Sequence, residues 1–94
     1  MTHKLKSIMV ELNTPKGSVF SGETGGVELR TTDGVIAINP QEVSYLHLTQ
    51  TTHITLRIGS VFRTFDLENA AASLREGRLT VLAEEIHEVE PATG

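Results

Sequence analysis

Apolar and polar residues alternate along most of this chain with a period of two. Ile8, Val10 and Leu12 alternate with Ser7, Met9 and Glu11. Val27 and Leu29 alternate with Glu28 and Arg30, and Ile54, Leu56 and Ile58 alternate with His53, Thr55 and Arg57. That period belongs to strands with one buried face. Turn residues punctuate it: Pro15 and Gly17, Gly22, Asp33-Gly34, Asn39-Pro40, Gly59-Ser60 and Glu76-Gly77. Glycine accepts positive φ, and aspartate bonds the backbone of a turn. The runs between the turns predict strands at Val19-Phe20, Val43 to Thr49, Val61 to Leu67 and Arg78 to Ala83. Val35 to Ile38 is expected as a buried strand. Ala70 to Leu74 fits a strand or a short helical turn. Glu84 to Glu90 has weak helical propensity.

Short strands spaced about 8–12 residues apart predict an all-β fold. The expected architecture is a flattened antiparallel β-sandwich or barrel of about nine to ten short strands. Its domain covers residues 1–86, and 87–94 form a short acidic tail. No repeat, linker or second domain is visible.

The chain has 94 residues, net charge −4 and no cysteine. The length suits one small domain with a thin core. Disulfides and thiolate metal sites are excluded. Acids gather after Ala83, which opposes nucleic-acid binding, since that needs a basic face. No apolar run approaches the roughly 20 residues of a membrane helix. Met1 to Lys6 carries charge with no apolar stretch behind it, unlike a signal peptide. A soluble, intracellular protein is the expectation.

Candidate chemistry is sparse. Histidines stand at positions 3, 47, 53 and 87. His47 and His53 are six apart across an expected turn, and two neighbouring strands would unite them in a metal site. Solvated histidines at strand ends are the plainer reading. Glu84, Glu85, Glu88 and Glu90 read as a solvated acidic run or as a surface for a basic partner. No Gly-x-Ser-x-Gly elbow appears. Gly25-Gly26 lacks the Gly-Lys-Ser/Thr of a phosphate loop and reads as a strand entry. Phe20, Tyr45, Phe62 and Phe65 are expected in the core rather than on a base-stacking platform. Catalytic residues, cofactor and metal are therefore all expected to be none.

One feature points to a partner. Alternation places Met9 on the face opposite Ile8 and Val10, and Leu82 opposite Val81. Ile86 and Val89 follow beyond the last expected strand. These residues form an exposed apolar patch for a partner, or are covered by the sandwich itself or by a self-dimer.

Two stretches carry a resemblance: Asn13-Thr14-Pro15-Lys16-Gly17-Ser18-Val19-Phe20-Ser21-Gly22-Glu23, and Arg78-Leu79-Thr80-Val81-Leu82-Ala83-Glu84-Glu85. In this order and separation they resemble the N-terminal β-sandwich domain of the ε subunit of F-type ATP synthases, called δ in mitochondria. That family opens with a strand, a Thr-Pro-x-Gly turn and Val-Phe-Ser-Gly-Glu. It closes with Val-Thr-Val-Leu-Ala-Asp/Glu. The likeness spans about residues 4–86. Pro40 is kept where the family has a Pro-Gly-His-Ala-Pro loop, but Gln41, Glu42 and Ser44 replace the Gly, the His and the second Pro. Glu68-Asn69-Ala70 stands where the family has Ser-Gly-Gly, and alanine there suggests a changed backbone.

The resemblance implies a non-catalytic central-stalk subunit that couples the γ subunit to the c-ring in proton-driven ATP synthesis. It would act without the inhibitory helical domain. It would lie in the cytoplasm at the inner face of the membrane, held there only through the complex. Asp33, Gly34, Pro40 and Glu42 would form the c-ring-facing loop. Met9, Leu82 and Ile86 are the candidates for a γ-facing patch, on alternation rather than on the family motif. The alternative is a stand-alone ε-like interaction module outside the ATP synthase, with a homodimer as one form of it.

Overall fold

The computed structural model describes residues 7–48 and 52–89. Its strands are β1 (Ile8–Thr14), β2 (Gly17–Thr24), β3 (Gly26–Thr31), β4 (Gly34–Ala37), β5 (Ser44–Leu48), β6 (Thr52–Ile58), β7 (Val61–Arg75) and β8 (Arg78–Val89). Hydrogen bonds join them in the order β2-β1-β8-β7-β6-β3-β4, with β5 also on β7.

The register resolves this path into two layers. β6 pairs with the first half of β7, Val61 to Leu67, whereas β5 pairs with Ala70 to Leu74. β1 pairs with β8 only between Arg78 and Leu82. One layer is therefore β2-β1-β8-β7-β5 and the other β8-β7-β6-β3-β4, with β7 and β8 running through both. Eight continuous strands thus supply ten segments, close to the nine to ten that the turn spacing predicts. Every ladder is antiparallel except β1 with β8, which is parallel.

The passage between layers occurs at Asn69, whose φ is 49°. Left-handed backbone is unfavourable for most L-residues, and asparagine is among the few that tolerate it. The bend uses one residue, so the buried phase changes. Phe65 and Leu67 point inward before it; Ala70, Ala72 and Leu74 do so after it. β8 changes phase opposite the same point, from Leu79, Val81 and Ala83 to Ile86. Asn69 Nδ2 donates to Glu84 Oε1 across the bend at 2.9 Å. Ala70 itself stays in the ladder opposite Ala83. Within Glu68-Asn69-Ala70 the positive φ therefore falls on Asn69, and Ala70 does not share it.

The inward residues meet in one core. Val10, Leu12, Leu79 and Val81 contribute from the first layer, and Leu29, Ile54, Leu56 and Phe65 from the second. Each side chain of this size, removed from water, contributes about 1.5–3 kcal/mol.

Several expectations change. The stretch from Val35 to Ile38 is not a buried strand: all of β4 is exposed, with Val35 at 53%. Among the described residues it pairs only with β3 and ends its sheet. Residues 84–89 form strand rather than helix, because Glu85 to Val89 bond to Thr64 to Glu68. β8 accordingly runs to Val89, past the expected boundary at 86. Ala70 to Leu74 is strand, continuous with Val61 to Leu67. Phe65 is buried and Phe20 packs on the core, but Phe62 and Tyr45 are 63% and 76% exposed, so they are not core aromatics. His3, Thr49 and residues 90–94 lie outside the described residues.

Candidate interaction site

The β3–β4 turn holds Asp33 and Gly34. Thr31 pairs with Gly34, leaving a two-residue loop of Thr32 and Asp33. The Thr31 hydroxyl organises it, accepting from the Asp33 N–H at 3.1 Å and donating to the Gly34 carbonyl at 3.1 Å. Gly34 adopts φ 132°, a conformation closed to side chains. The β1–β2 turn repeats the device: Thr14 accepts from the Lys16 N–H at 3.1 Å and donates to Gly17, whose φ is 129°. Asp33 is exposed, so its carboxylate is presented to solvent.

Pro40 and Glu42 sit at the other end of β4. The Glu42 N–H donates to the Asn39 carbonyl at 3.1 Å, closing a β-turn over Asn39 to Glu42. Pro40 takes the second position, where its fixed φ fits. The Asn39 side chain accepts from the Gln41 N–H at 3.0 Å. Glu42 thus closes the turn through its backbone and keeps its side chain exposed. The four loop residues form two groups separated by the length of β4, about 13 Å of extended chain.

Met9 and Leu82 lie on the outer face of the first layer, as alternation implies. Leu82 is 56% exposed and Met9 half-buried. They are not adjacent. Met9 is in register with Arg78, and Leu82 with Asn13, so about 13 Å of strand separates them. Leu82 instead faces Ala71, which is in register with His47 of β5. Together with Tyr45, Ser73 and Thr80 they line an open, mainly apolar groove of about 420 Å³. Ile86 belongs elsewhere: it is half-buried, packs on the core and lies beyond the bend. It does not share the face of Leu82, because the phase change in β8 turns it inward.

The structure does not bring His47 and His53 onto neighbouring strands. His47 is opposite Ala71 and His53 opposite Asp66, in ladders at different halves of β7. His53 Nδ1 lies in close contact with Asp66 Oδ1. His87 is in register with Asp66 from the other side, but its Nε2 meets Glu85 at 3.3 Å. That contact with His87, and a second with Glu68, hold the Glu85 carboxyl below its ordinary range. Among the described residues, no three histidine or carboxylate groups are arranged to hold a metal ion.

Gly25 and Gly26 have a packing role. The Arg57 guanidinium donates to the Gly25 carbonyl at 2.6 Å, and a Cβ on Gly25 would stand 3.2 Å from that group. Sequence reasoning misses a further cluster. Arg63 donates twice to Glu88, at 2.7 and 2.8 Å, and lies 5.2 Å from the Phe20 ring and 5.3 Å from that of Phe65. The hydrogen bonds from Arg63 lower the Glu88 pKa, and those to Glu88 raise that of Arg63. These residues come from three strands, and no spacing in the chain announces them.

Comparison with known proteins places this geometry. No curated protein matches the chain. A chain of the Euglena gracilis mitochondrial ATP synthase, from the OSCP/F1/c-ring in rotational state 1, is similar with TM-score 0.78 and 12% identity. The match covers 93% of this chain and 56% of that one, so this chain spans little more than half its length. A chain of the Tetrahymena thermophila mitochondrial ATP synthase central stalk and c-ring is similar with TM-score 0.64 and 16% identity, over 90% of this chain and 68% of that one. At these identities the likeness is one of fold. Residues 7–89 match the family model for the ATP synthase, Delta/Epsilon chain, beta-sandwich domain, and the chain belongs to that family.

Proposed function

We propose that this chain is the sandwich of a central-stalk subunit of an F-type ATP synthase, itself non-catalytic, which couples the γ subunit to the c-ring in proton-driven ATP synthesis. The family match over residues 7–89 carries this reading. The two fold neighbours, from a structure that includes the c-ring and from a central-stalk and c-ring structure, support it.

The mechanism is mechanical. A stalk subunit transmits torque only if it does not deform. β7 and β8 run unbroken through both layers, and close-packed interiors transmit strain. The groove at Tyr45, Ala71 and Leu82 is the proposed γ-facing surface, with Met9 at its margin. Ile86 is withdrawn from it. Asp33 and Gly34 at one end of β4, and Pro40 and Glu42 at the other, are the proposed contacts toward the c-ring. The complex would hold the chain at the inner, cytoplasmic face of the membrane.

The test is co-purification with the γ subunit of the same organism, followed by size-exclusion chromatography. A stable one-to-one complex is expected. A chain that runs alone as a dimer in the presence of γ would favour the stand-alone module instead.

A further inference from the structure

Three side chains with metal-ligating chemistry stand in one row on the outer face of the second layer. His53 of β6 is in register with Asp66 of β7, and Asp66 with His87 of β8. Their chain neighbours Ile54, Phe65 and Leu67 are buried, and Ile86 packs on the core, so all three belong to the outward phase. Asp66 Oδ1 is shielded from solvent and has no hydrogen-bond partner among the described residues, while His53 Nδ1 lies against it. A shielded carboxylate oxygen needs a positive or donating group beside it.

As the side chains stand, no three groups converge on one point, because His87 turns to Glu85 instead, at 3.3 Å. That contact does not fix the ring. The His87 side chain is 68% exposed, and a surface pair of this kind is worth little. Exposed side chains change rotamer in picoseconds to nanoseconds. Neighbouring strands lie about 4.8 Å apart, so about 10 Å of sheet separates the His53 and His87 backbones, with Asp66 midway. Two imidazoles leaning toward each other close that span on one ion above Asp66, with metal–nitrogen bonds of about 2.0–2.1 Å.

The charges around the row favour a cation. Glu85 touches both His87 and Glu68, its partner in the ladder. Arg30 of β3 is in register with His53, and Lys16 of the β1–β2 turn acts on Glu85. Asp66, Glu68 and Glu85 thus outnumber the two basic groups. We propose that His53, Asp66 and His87, joined by Glu85, bind a divalent transition-metal ion once His87 rotates toward Asp66. Two imidazoles with carboxylates in four-coordination suit Zn²⁺. The ion would tie β6, β7 and β8 together. Past Ala83, β8 pairs only with β7 among the described residues, and His87 lies on that segment. The ion would therefore brace the part of β8 with the fewest ladders. This inference does not depend on the stalk reading.

The test uses the whole chain, stripped of metal with a chelator, and Zn²⁺ alone as probe. Calorimetry gives the stoichiometry, and NMR follows each imidazole by its own resonances. One Zn²⁺ per chain is expected, with the His53 and His87 signals shifting together. His53→Ala and His87→Ala should each weaken binding about tenfold or more, and His47→Ala should not. All three positions are exposed, so the circular dichroism spectrum should be unchanged. Zn²⁺ should also raise the melting temperature of the parent and of His47→Ala, but not of His87→Ala, since an ion that binds only the folded chain stabilises it. If Zn²⁺ moves only one of the two imidazoles, or shifts His3 or His47 instead, the site is refuted. Equal affinity in the parent and His87→Ala refutes it as well. Neither result bears on γ binding, which is measured without zinc.

Discussion

At one side of the sandwich, Phe20, Arg63 and Glu88 tie β2 to β7 and β8. At the other, β4 and β5 stand across a small slot and expose Val35, Ile36 and Tyr45, with Val43 exposed just before β5. The first side is shut by its own side chains. Arg63 and Glu88 share the inward phase of Phe65 and Ile86, so a charge pair points into the mouth of the sandwich. Phe20 crosses from the other layer to meet the Phe65 ring, centroid to centroid at 6.0 Å. Inward charges of this kind block edge-to-edge pairing. Among the described residues the second side has no such ion pair, and Asn39 and Glu42 line its slot instead.

The largest break of this comparison comes from Phe65→Ala. Phe65 is fully buried and anchors the closed side, so its truncation should destabilise by about 3–5 kcal/mol in urea denaturation. The matching truncation on the open side, Ile36→Ala, should stay within about 1 kcal/mol, because Ile36 is already exposed. Equal losses would mean that the two sides are packed alike.

Asn69 lies at the bend that both sides share. Asn69→Val places a β-branched residue at φ 49° and should cost about 1–3 kcal/mol. Asn69→Gly should be nearly neutral in the same thermal melt, since glycine reaches that conformation freely. A harmless valine would show that the bend does not depend on this backbone angle.

Arg63→Ala removes the contacts with both rings along with the Glu88 bond. About 1 kcal/mol is expected, since the guanidinium is partly solvated. Arg63→Lys should recover only part of that, because lysine cannot match the two-pronged contact.

The smallest effect is a pH dependence. The bond from Arg63 lowers the Glu88 pKa from 4.5. A carboxyl lowered in the folded state contributes its full stability above its unfolded value and loses it as pH falls through the folded one. The difference in melting temperature between the parent chain and Glu88→Gln should thus be present near neutrality and shrink below about pH 4.5. A difference that persists in acid would show that the Glu88 charge has no part in closing this side.

Much of this was legible in the chain. The inward residues of β1, β3 and β6 follow from strict alternation, and the turns at Gly59-Ser60 and Glu76-Gly77 fall where their residue types indicate, whereas the one expected at Asp33-Gly34 closes one residue earlier, over Thr32 and Asp33. β4 was not legible: Val35 and Ile36 read as core because hydrophobicity does not say whether a second layer covers a strand. The strand from Glu84 to Val89 was hidden for the opposite reason. Its acids suggest a tail, yet β7 supplies a ladder that outweighs local propensity. The site residues divide in the same way. Alternation identified the faces of Met9 and Leu82, but their separation and the inward turn of Ile86 depend on pairing and on the bend at Asn69.

The sequence by itself determined the strand period, the turn positions and a resemblance that the family match bears out, because each depends on residues close together in the chain. The tertiary structure alone decided the parallel union of β1 with β8, the passage of β7 and β8 between layers, and the Arg63 bridge. It also decided which edge is left open. These depend on strands that lie far apart in sequence, and only their packing brings the groups within reach.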